Sequence, residues 1–239
     1  EIMVDRMKEE FKLEVETGEP AVAYREAITT AVEAEYRHAK QTGGKGQFAQ
    51  ILMRVEPKTD GGFEFVDKIE GGNIPAEYIP SISKGIQTTL NRGILAGFPI
   101  ENVRVTILDG KYHPVDSSDM AFQLCASMCF KQAFLKAKPI LLEPVMKIEV
   151  STPDDYIGDV TGNLNRRRGR IDNMRRYRKG SQKLTGLVPL SEMFGYATSL
   201  RNITSGRANY SMEFHQYMPL PTAIQEEVLL KLKKKKEEE

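Results

Sequence analysis

The 239-residue sequence lacks most of the patterns on which common functional assignments depend. It has no uninterrupted apolar run of about 18 residues, the length that a membrane-spanning helix requires. It contains only three histidines and neither G-x-S-x-G nor H-E-x-x-H, so hydrolase and zinc-protease chemistry is not indicated. The N-terminus is acidic and amphipathic, which is not typical of a signal peptide. We therefore expect a cytoplasmic protein with no membrane partner and no catalytic residues of its own.

Cysteine is also scarce, and the two cysteines, Cys125 and Cys129, lie four residues apart. This spacing places both on one face of a helix, but two thiols do not complete a metal site. We predict a pair of small core residues in a reducing compartment and no bound metal.

The formal net charge is only +1, so the overall charge predicts no polyanionic partner and any such signal must be local. One local excess lies between residues 166 and 183, where nine cations accompany a single acid, Asp172. These cations are Arg166, Arg167, Arg168, Arg170, Arg175, Arg176, Arg178, Lys179 and Lys183. With Tyr177 among them, they form a pattern typical of contact with a nucleic-acid backbone. The alternative is a solvated hairpin whose charges keep a sheet edge soluble.

Glycine is concentrated in the stretch QTGGKGQ, residues 41–47, where Gly43, Gly44 and Gly46 surround Lys45. The phosphate-binding loop of nucleotide hydrolases requires G-x-x-x-x-G-K-[ST], and here the lysine is followed by glycine. No other segment supplies the pattern, so a mononucleotide site is not indicated. Apolar residues alternate after the loop, which predicts a strand. The loop becomes a hairpin tip if residues 35–41 also form a strand.

The region from about residue 21 to 141 combines predicted strands with two predicted helices. Residues 21–40 are ambiguous, because their alanines favour a helix whereas their β-branched and aromatic residues favour strands. A helix over about residues 74–97 is expected to end at Gly97, and a second helix is expected to follow Asp116 as its N-cap. The buried stripe of the second helix is predicted to contain Phe122, Cys125, Cys129 and Ala133.

The region from about residue 142 to 220 has the element order βαββαβ, which is that of a ferredoxin-like domain. Its first helix is predicted to begin near Pro153, and Gly180 is predicted to form the turn of a hairpin. Ser191 is the expected cap of its second helix. A final helix with a solvated lysine run is predicted beyond residue 220.

The loop before the second helix contains His113, Asp116 and Ser117, the three residue types of a catalytic triad. Neighbours in sequence rarely reach triad geometry, so an enzyme that uses His113 is disfavoured. A loop that precedes a helix N-terminus suits anions, and a histidine there donates readily to a phosphate or a 2′-hydroxyl. An ordinary connecting loop remains the alternative.

Several long motifs occur together: VDRMKEEFKLEVETGEP, TGGKGQF, YHPVDSSDMAF, LLEPVMKIEV and VPLSEMFGYATSLRNITSGRANYSMEF. In this order they closely resemble the C-terminal part of bacterial translation elongation factor G, over nearly the whole chain. The sequence does not begin with methionine, and the resemblance implies a part of a longer protein.

The resemblance implies an α+β multidomain fold. Residues 1–18 would be a helix–strand remnant of domain III, and residues 19–141 would be domain IV, an S5-like α/β domain. Residues 142–220 would be domain V, ferredoxin-like βαββαβ, and residues 221–239 a C-terminal helix that packs near domain IV. An S5-like domain IV also favours strands over the ambiguous residues 21–40.

The resemblance further implies that the tip of domain IV enters the decoding site and contacts the tRNA–mRNA duplex, with Gln47 and His113 in direct contact. Domain V would meet the large subunit through its arginine-rich hairpin. The implied partners are the ribosome, with its 16S and 23S rRNA and proteins, and the tRNA–mRNA duplex; a monomer is expected. GTP and Mg²⁺ would bind the intact translational GTPase rather than this part. The tip residues are Gly43, Gly44, Lys45, Gly46, Gln47, Tyr112, His113, Pro114, Val115, Asp116, Ser117 and Ser118.

One position departs from the family pattern, since many members carry an acid where this chain has Pro114. Proline removes a backbone N–H and a charge, and it stiffens the loop. The motifs do not separate translocation factors from paralogues specialised for ribosome recycling. A stand-alone RNA-binding protein resembling an RNA-recognition motif is the alternative of another class.

Overall fold

The computed structural model describes residues 21–41 and 46–238. The helix and strand predicted within residues 1–18, and the tip residues Gly43, Gly44 and Lys45, lie outside the described residues. The described chain forms two units. Of the described residues, the first contains 23–145 and 214–238, and the second contains 146–213 together with residues 21 and 22.

The first unit is built on a four-stranded sheet whose strand order is β2-β3-β5-β4. Its strands are β1 (Arg25–Ile28), β2 (Val32–Lys40), β3 (Gln47–Pro57), β4 (Phe63–Asp67) and β5 (Val103–Lys111), with β1 outside this sheet. The β2–β3 and β3–β5 pairs are antiparallel, and β4 runs parallel to β5. The ambiguous residues 21–40 therefore contain two strands.

Two helices, α1 (Ile79–Arg92) and α2 (Asp119–Lys136), share one hydrophobic core with this sheet. The core residues of β3 alternate as the sequence predicts, and the predicted stripe of α2 is fully buried. Cys125 and Cys129 lie in this core with free thiols, and burial raises the pKa of each thiol to about 12. Each Sγ donates to backbone oxygens of β2 and β3, so the cysteines act as core residues.

Three predicted helix caps are wrong. The first helix ends at Gly93 rather than Gly97, because Gly93 already has a positive φ of 73° and its N–H donates to Thr89 O at 3.0 Å. Ser118, not Asp116, caps α2: its side chain accepts from the backbone N–H of Ala121 at 3.2 Å.

The third wrong cap is Ser191. It lies in a short 3₁₀ segment, Leu190–Glu192, and the helix that follows begins only after Gly195, which has a φ of 72°.

The second unit has the predicted βαββαβ order. Its elements are β6 (Pro139–Pro153), α3 (Ile157–Arg166), β7 (Arg170–Arg178), β8 (Ser181–Pro189), α4 (Tyr196–Ile203) and β9 (Asn209–Pro219), with β6 and β9 contributing residues to both units. In its sheet β6 lies between β8 and β9, and β7 is at the edge beyond β8. Gly180 forms the β7–β8 turn with a φ of 77°. The predicted α+β fold class is thus confirmed.

The last element, α5 (Thr222–Glu238), belongs to the first unit. The side chain of Gln225 accepts from the backbone N–H of Leu141 at 2.9 Å. Leucines of α5 and the loop residues Leu95 and Ala96 line a cavity of about 380 Å³. Among the helices of the described residues, none has both the length and the apolar character needed to cross a membrane.

Candidate functional site

Two loops lie together at one end of the β2–β3–β5 sheet. The register pairs Lys40, the last residue of β2, with Gln47, the first residue of β3. The same register aligns Gln50 on β3 with Lys111, the last residue of β5. The loop of residues 112–118 therefore starts close to Gln47, and we call this loop, together with Gly46 and Gln47, the tip.

Asp116 joins the two loops. Its carboxylate Oδ1 accepts from the N–H of Gly46 at 3.1 Å, and its backbone oxygen accepts from the N–H of Phe48 at 2.9 Å. A Cβ atom on Gly46 would lie only 2.9 Å from Cγ of Asp116. Glycine at this position therefore allows the hairpin to approach the second loop closely.

Ser117 and Ser118 support the tip from within the protein. The Ser117 hydroxyl accepts from the N–H of His113 at 2.8 Å and donates to the backbone oxygen of Phe48 at 2.7 Å. Ser117 is buried, with 7% of its surface exposed, and Ser118 is occupied as the cap of α2. These two predicted site residues hold the loop in place and present little to a ligand.

His113 is held in a defined orientation while half of its side chain remains exposed. Its Nδ1 accepts from the backbone N–H groups of Asp116 at 3.1 Å and Val115 at 3.3 Å. Its ring lies 6.2 Å from that of Phe48, at an interplanar angle of 60°. Tyr112, Pro114 and Val115 are exposed around it.

Gln47 is fixed by a residue that the sequence did not indicate. Nε2 of His38 and Oε1 of Gln47 lie 2.9 Å apart. A second such residue, Arg37, stacks its guanidinium 5.3 Å from the centre of the Phe48 ring. His38 and Gln47 are diagonal neighbours on two antiparallel strands, so knowledge of the hairpin register could have found this pair.

The predicted arginine-rich segment runs from the end of α3 through the edge strand β7 to the start of β8. Arg175, Arg176, Arg178 and Lys179 are exposed, as are Arg166 and Arg170. Two cations lie near Tyr177, with the Arg178 guanidinium 5.1 Å and the Lys183 ammonium 4.8 Å from its ring centre. Lys183 also pairs with Glu149 at 2.6 Å, and Arg170 pairs with Asp172 at 3.1 Å.

Two cations of this segment are committed to contacts within the protein. Arg167 donates to the backbone oxygen of Glu192 and, at 2.9 Å, to Ser199 Oγ. Arg168 has a φ of 57° and pairs with the Glu192 carboxylate at 2.9 Å. These contacts connect the end of α3 to α4 and to the segment before it, so both arginines have a structural role.

Comparison with known proteins decides the family. The family model for elongation factor G, domain IV, matches residues 20–138. The family model for the elongation factor G C-terminus matches residues 140–228. The chain belongs to the elongation factor G family. A crystal structure of a protein from Thermus thermophilus aligns at 35% identity with a TM-score of 0.85, covering 98% of this chain and 35% of that one. The chain therefore spans about a third of that protein's length.

The family predicted from the motifs is confirmed, and the chain is an elongation-factor-G-like part of a translation factor. The described tip residues lie within the part that matches domain IV. The arginine-rich hairpin lies within the part that matches the elongation factor G C-terminus. The predicted domain boundaries and contact residues stay predictions.

Proposed function

We propose that this chain is the ribosome-binding part of a translation factor that promotes GTP-dependent translocation of tRNA and mRNA. In this proposal the tip contacts the tRNA–mRNA duplex in the decoding site of the 16S rRNA. The observation that carries it is the joining of the two tip loops by Asp116, which places Gln47 and His113 at one end of the sheet.

The chemistry of the tip suits RNA better than a small molecule. An A-form duplex displays 2′-hydroxyls and base edges in a wide, shallow minor groove, where proteins recognise shape more than sequence. Amide and imidazole N–H groups donate to such oxygens, and glycine lets the backbone come near them. A translocation factor must follow any codon–anticodon pair, which a shape-directed contact permits.

GTP and Mg²⁺ belong, in this proposal, to the part of the intact protein outside this chain. The 239 residues contain no G-x-x-x-x-G-K-[ST] pattern that would cradle phosphates. The chain would then supply contacts with RNA, whereas nucleotide hydrolysis would take place elsewhere in a monomeric protein.

Replacing His113 by alanine in the intact protein is expected to slow translocation about tenfold. A tenfold change corresponds to the net free energy of about one charge-assisted or two neutral hydrogen bonds. Ribosome-stimulated GTP hydrolysis should stay within about twofold, because the loop is not part of the nucleotide site. Rapid kinetics of mRNA movement and of phosphate release measure both steps. The exposed His215 provides the matched control, and His215→Ala should leave both unchanged. Normal translocation by His113→Ala would remove His113 from the site.

We propose a second contact between the exposed cations of β7 and the 23S rRNA. Replacing Arg175, Arg176 and Arg178 together by alanine should weaken ribosome binding and lower its salt dependence by up to about one unit of slope per lost phosphate contact. Binding titrations over a range of KCl concentrations measure the slope.

The matched control removes arginines that are already paired with acids. Arg54 pairs with Glu56 at 2.9 Å, and Arg104 pairs with Glu64 at 2.9 Å. Alanine at both positions should leave the slope unchanged. If the β7 variant keeps the original slope as well, the hairpin is a solvated edge and not a contact with RNA.

A further inference from the structure

We propose that His38 and Ser117 are positioning residues, His38 for the amide orientation of Gln47 and Ser117 for the tautomer of His113, so that both side chains present N–H donors at the tip. This inference rests on the proposed function of the tip and adds the chemical class of atom that it recognises. Neither positioning residue needs to touch RNA.

The backbone around His113 determines its tautomer. Two N–H groups, of Val115 and Asp116, are directed at Nδ1, and they can donate only to an unprotonated nitrogen. The neutral ring must then carry its proton on Nε2. The Asp116 Oδ2 atom lies 3.4 Å from Nδ1, longer than an ordinary N–H···O hydrogen bond, so it does not compete.

Ser117 holds the turn in which these N–H groups meet the ring. Its buried hydroxyl accepts from the His113 N–H, and the Ser117 N–H donates to the His113 backbone oxygen at 3.1 Å. The same hydroxyl donates to Phe48, which ties the turn to β3. The orientation of the His113 ring is therefore imposed by groups that are themselves fixed.

The amide of Gln47 is oriented by His38. Its Oε1 accepts from Nε2–H of His38, which is half-buried, and this contact leaves the two amide N–H bonds of Gln47 for a ligand. The carboxylate of Asp116 accepts from the N–H of Gly46 through its Oδ1 atom. Gln47 and His113 thus both offer donors.

The N–H donors of Gln47 and His113 select acceptor atoms. Every Watson–Crick pair places acceptors in its minor groove, whereas only pairs that contain guanine add a donor there. The 2′-hydroxyl and the phosphate oxygens are acceptors at every nucleotide. A tip with this proton placement can bind any codon–anticodon duplex, and the inferred ligand is the acceptor-rich RNA minor groove rather than a particular base.

The proton placement is directly measurable in the isolated chain. Long-range ¹H–¹⁵N correlation spectra distinguish Nδ1–H from Nε2–H tautomers, and only three histidines must be assigned. The variants His38→Phe, His113→Ala and His215→Phe assign them by loss of one signal each. In their neutral forms, both His38 and His113 should be Nε2–H tautomers. An Nδ1–H signal from either one would overturn the inference, whatever the ribosome assays give.

A double-mutant cycle in the intact protein tests whether His38 acts through Gln47. His38→Phe removes the donor and keeps a ring, and it should slow translocation about three- to tenfold. Gln47→Leu should slow it at least as much, and His38→Phe should then add less than twofold. Independent effects that multiply in the double variant would overturn the positioning role.

A rescue variant separates positioning from a general loss of structure. His38→Gln retains a side-chain N–H donor and should recover most of the rate that His38→Phe loses. If His38→Gln and His38→Phe slow translocation equally while both unfold at the temperature of the original protein, the inference is contradicted. If no tip variant slows translocation, the proposed function is wrong, whereas the tautomers measured in the isolated chain still decide the proton placement.

Discussion

Replacing Glu26 by glutamine is expected to lower the free energy of unfolding of the first unit by about 3–5 kcal/mol, the cost typical of breaking a buried charged interaction. Glu26 lies on β1 and is completely buried. Its carboxylate is surrounded by the backbone of the loop that follows α1.

Five backbone N–H groups donate to this carboxylate. Ile94 and Leu95 donate to Oε2 at 2.8 Å each, and Ala96, Gly97 and Phe98 donate to Oε1 at 2.8, 3.0 and 3.1 Å. An ionised carboxylate is acceptor-only and suits such a set of donors. Glutamine replaces one oxygen by an NH₂ group, which leaves at least two of the N–H groups without a partner and directs new donors at them.

Urea unfolding of the variant measures the loss, and hydrogen exchange locates it, since the amides of residues 94–98 should lose protection first. Glu101→Gln is the matched control: its carboxylate pairs with Arg25 at 3.0 Å and is 40% exposed, so the change should cost less than about 1 kcal/mol. A Glu26→Gln protein within about 1 kcal/mol of the original would contradict the assigned role of the five N–H bonds.

The order of elements could be predicted because it depends on local patterns. Alternation after the glycine loop identified β3, and the stripe of α2 followed from helical spacing. Residues 21–40 could not be assigned from propensity, because β1 becomes a strand by pairing with the distant β6 and β2 by pairing with β3. Only the resemblance to a family resolved them. The predicted N-cap Asp116 was wrong for a related reason. Its residue type suits a cap, but its carboxylate accepts from the backbone N–H of Gly46 in the tip.

The candidate site was partly predictable. His113 and Gln47 lie in recognisable motifs, but His38, Arg37 and Phe48 contribute through contacts between strands that the sequence does not display. In the arginine-rich segment, the charge could be predicted from the sequence but the roles of the individual arginines could not. Its charge excess was evident, yet composition cannot distinguish the exposed arginines of β7 from Arg167 and Arg168, which bind Glu192 and its neighbours.

Replacing Gly110 by alanine is expected to destabilise the first unit by about 2–3 kcal/mol, as over-packing of a close-packed site typically does. Gly110 lies in β5 opposite Ile51, and its φ is not among the positive values. The expected cost is therefore steric. An added Cβ would lie 2.3 Å from the backbone oxygen of Gln50 and 2.4 Å from Cδ1 of Ile74, so β3 or β5 must move.

That movement would reach the tip, because the loop that contains His113 begins directly after β5. We therefore expect Gly110→Ala to slow translocation as well, with the chain still folded. Urea unfolding and the translocation assay measure the two effects. Gly162→Ala is the control, since nothing lies within 4 Å of a Cβ at this position in α3. It should stabilise the second unit by up to about 1 kcal/mol through helix propensity. If Gly110→Ala changes the free energy of unfolding and the translocation rate as little as Gly162→Ala does, the close approach of β3 to Gly110 does not constrain the tip.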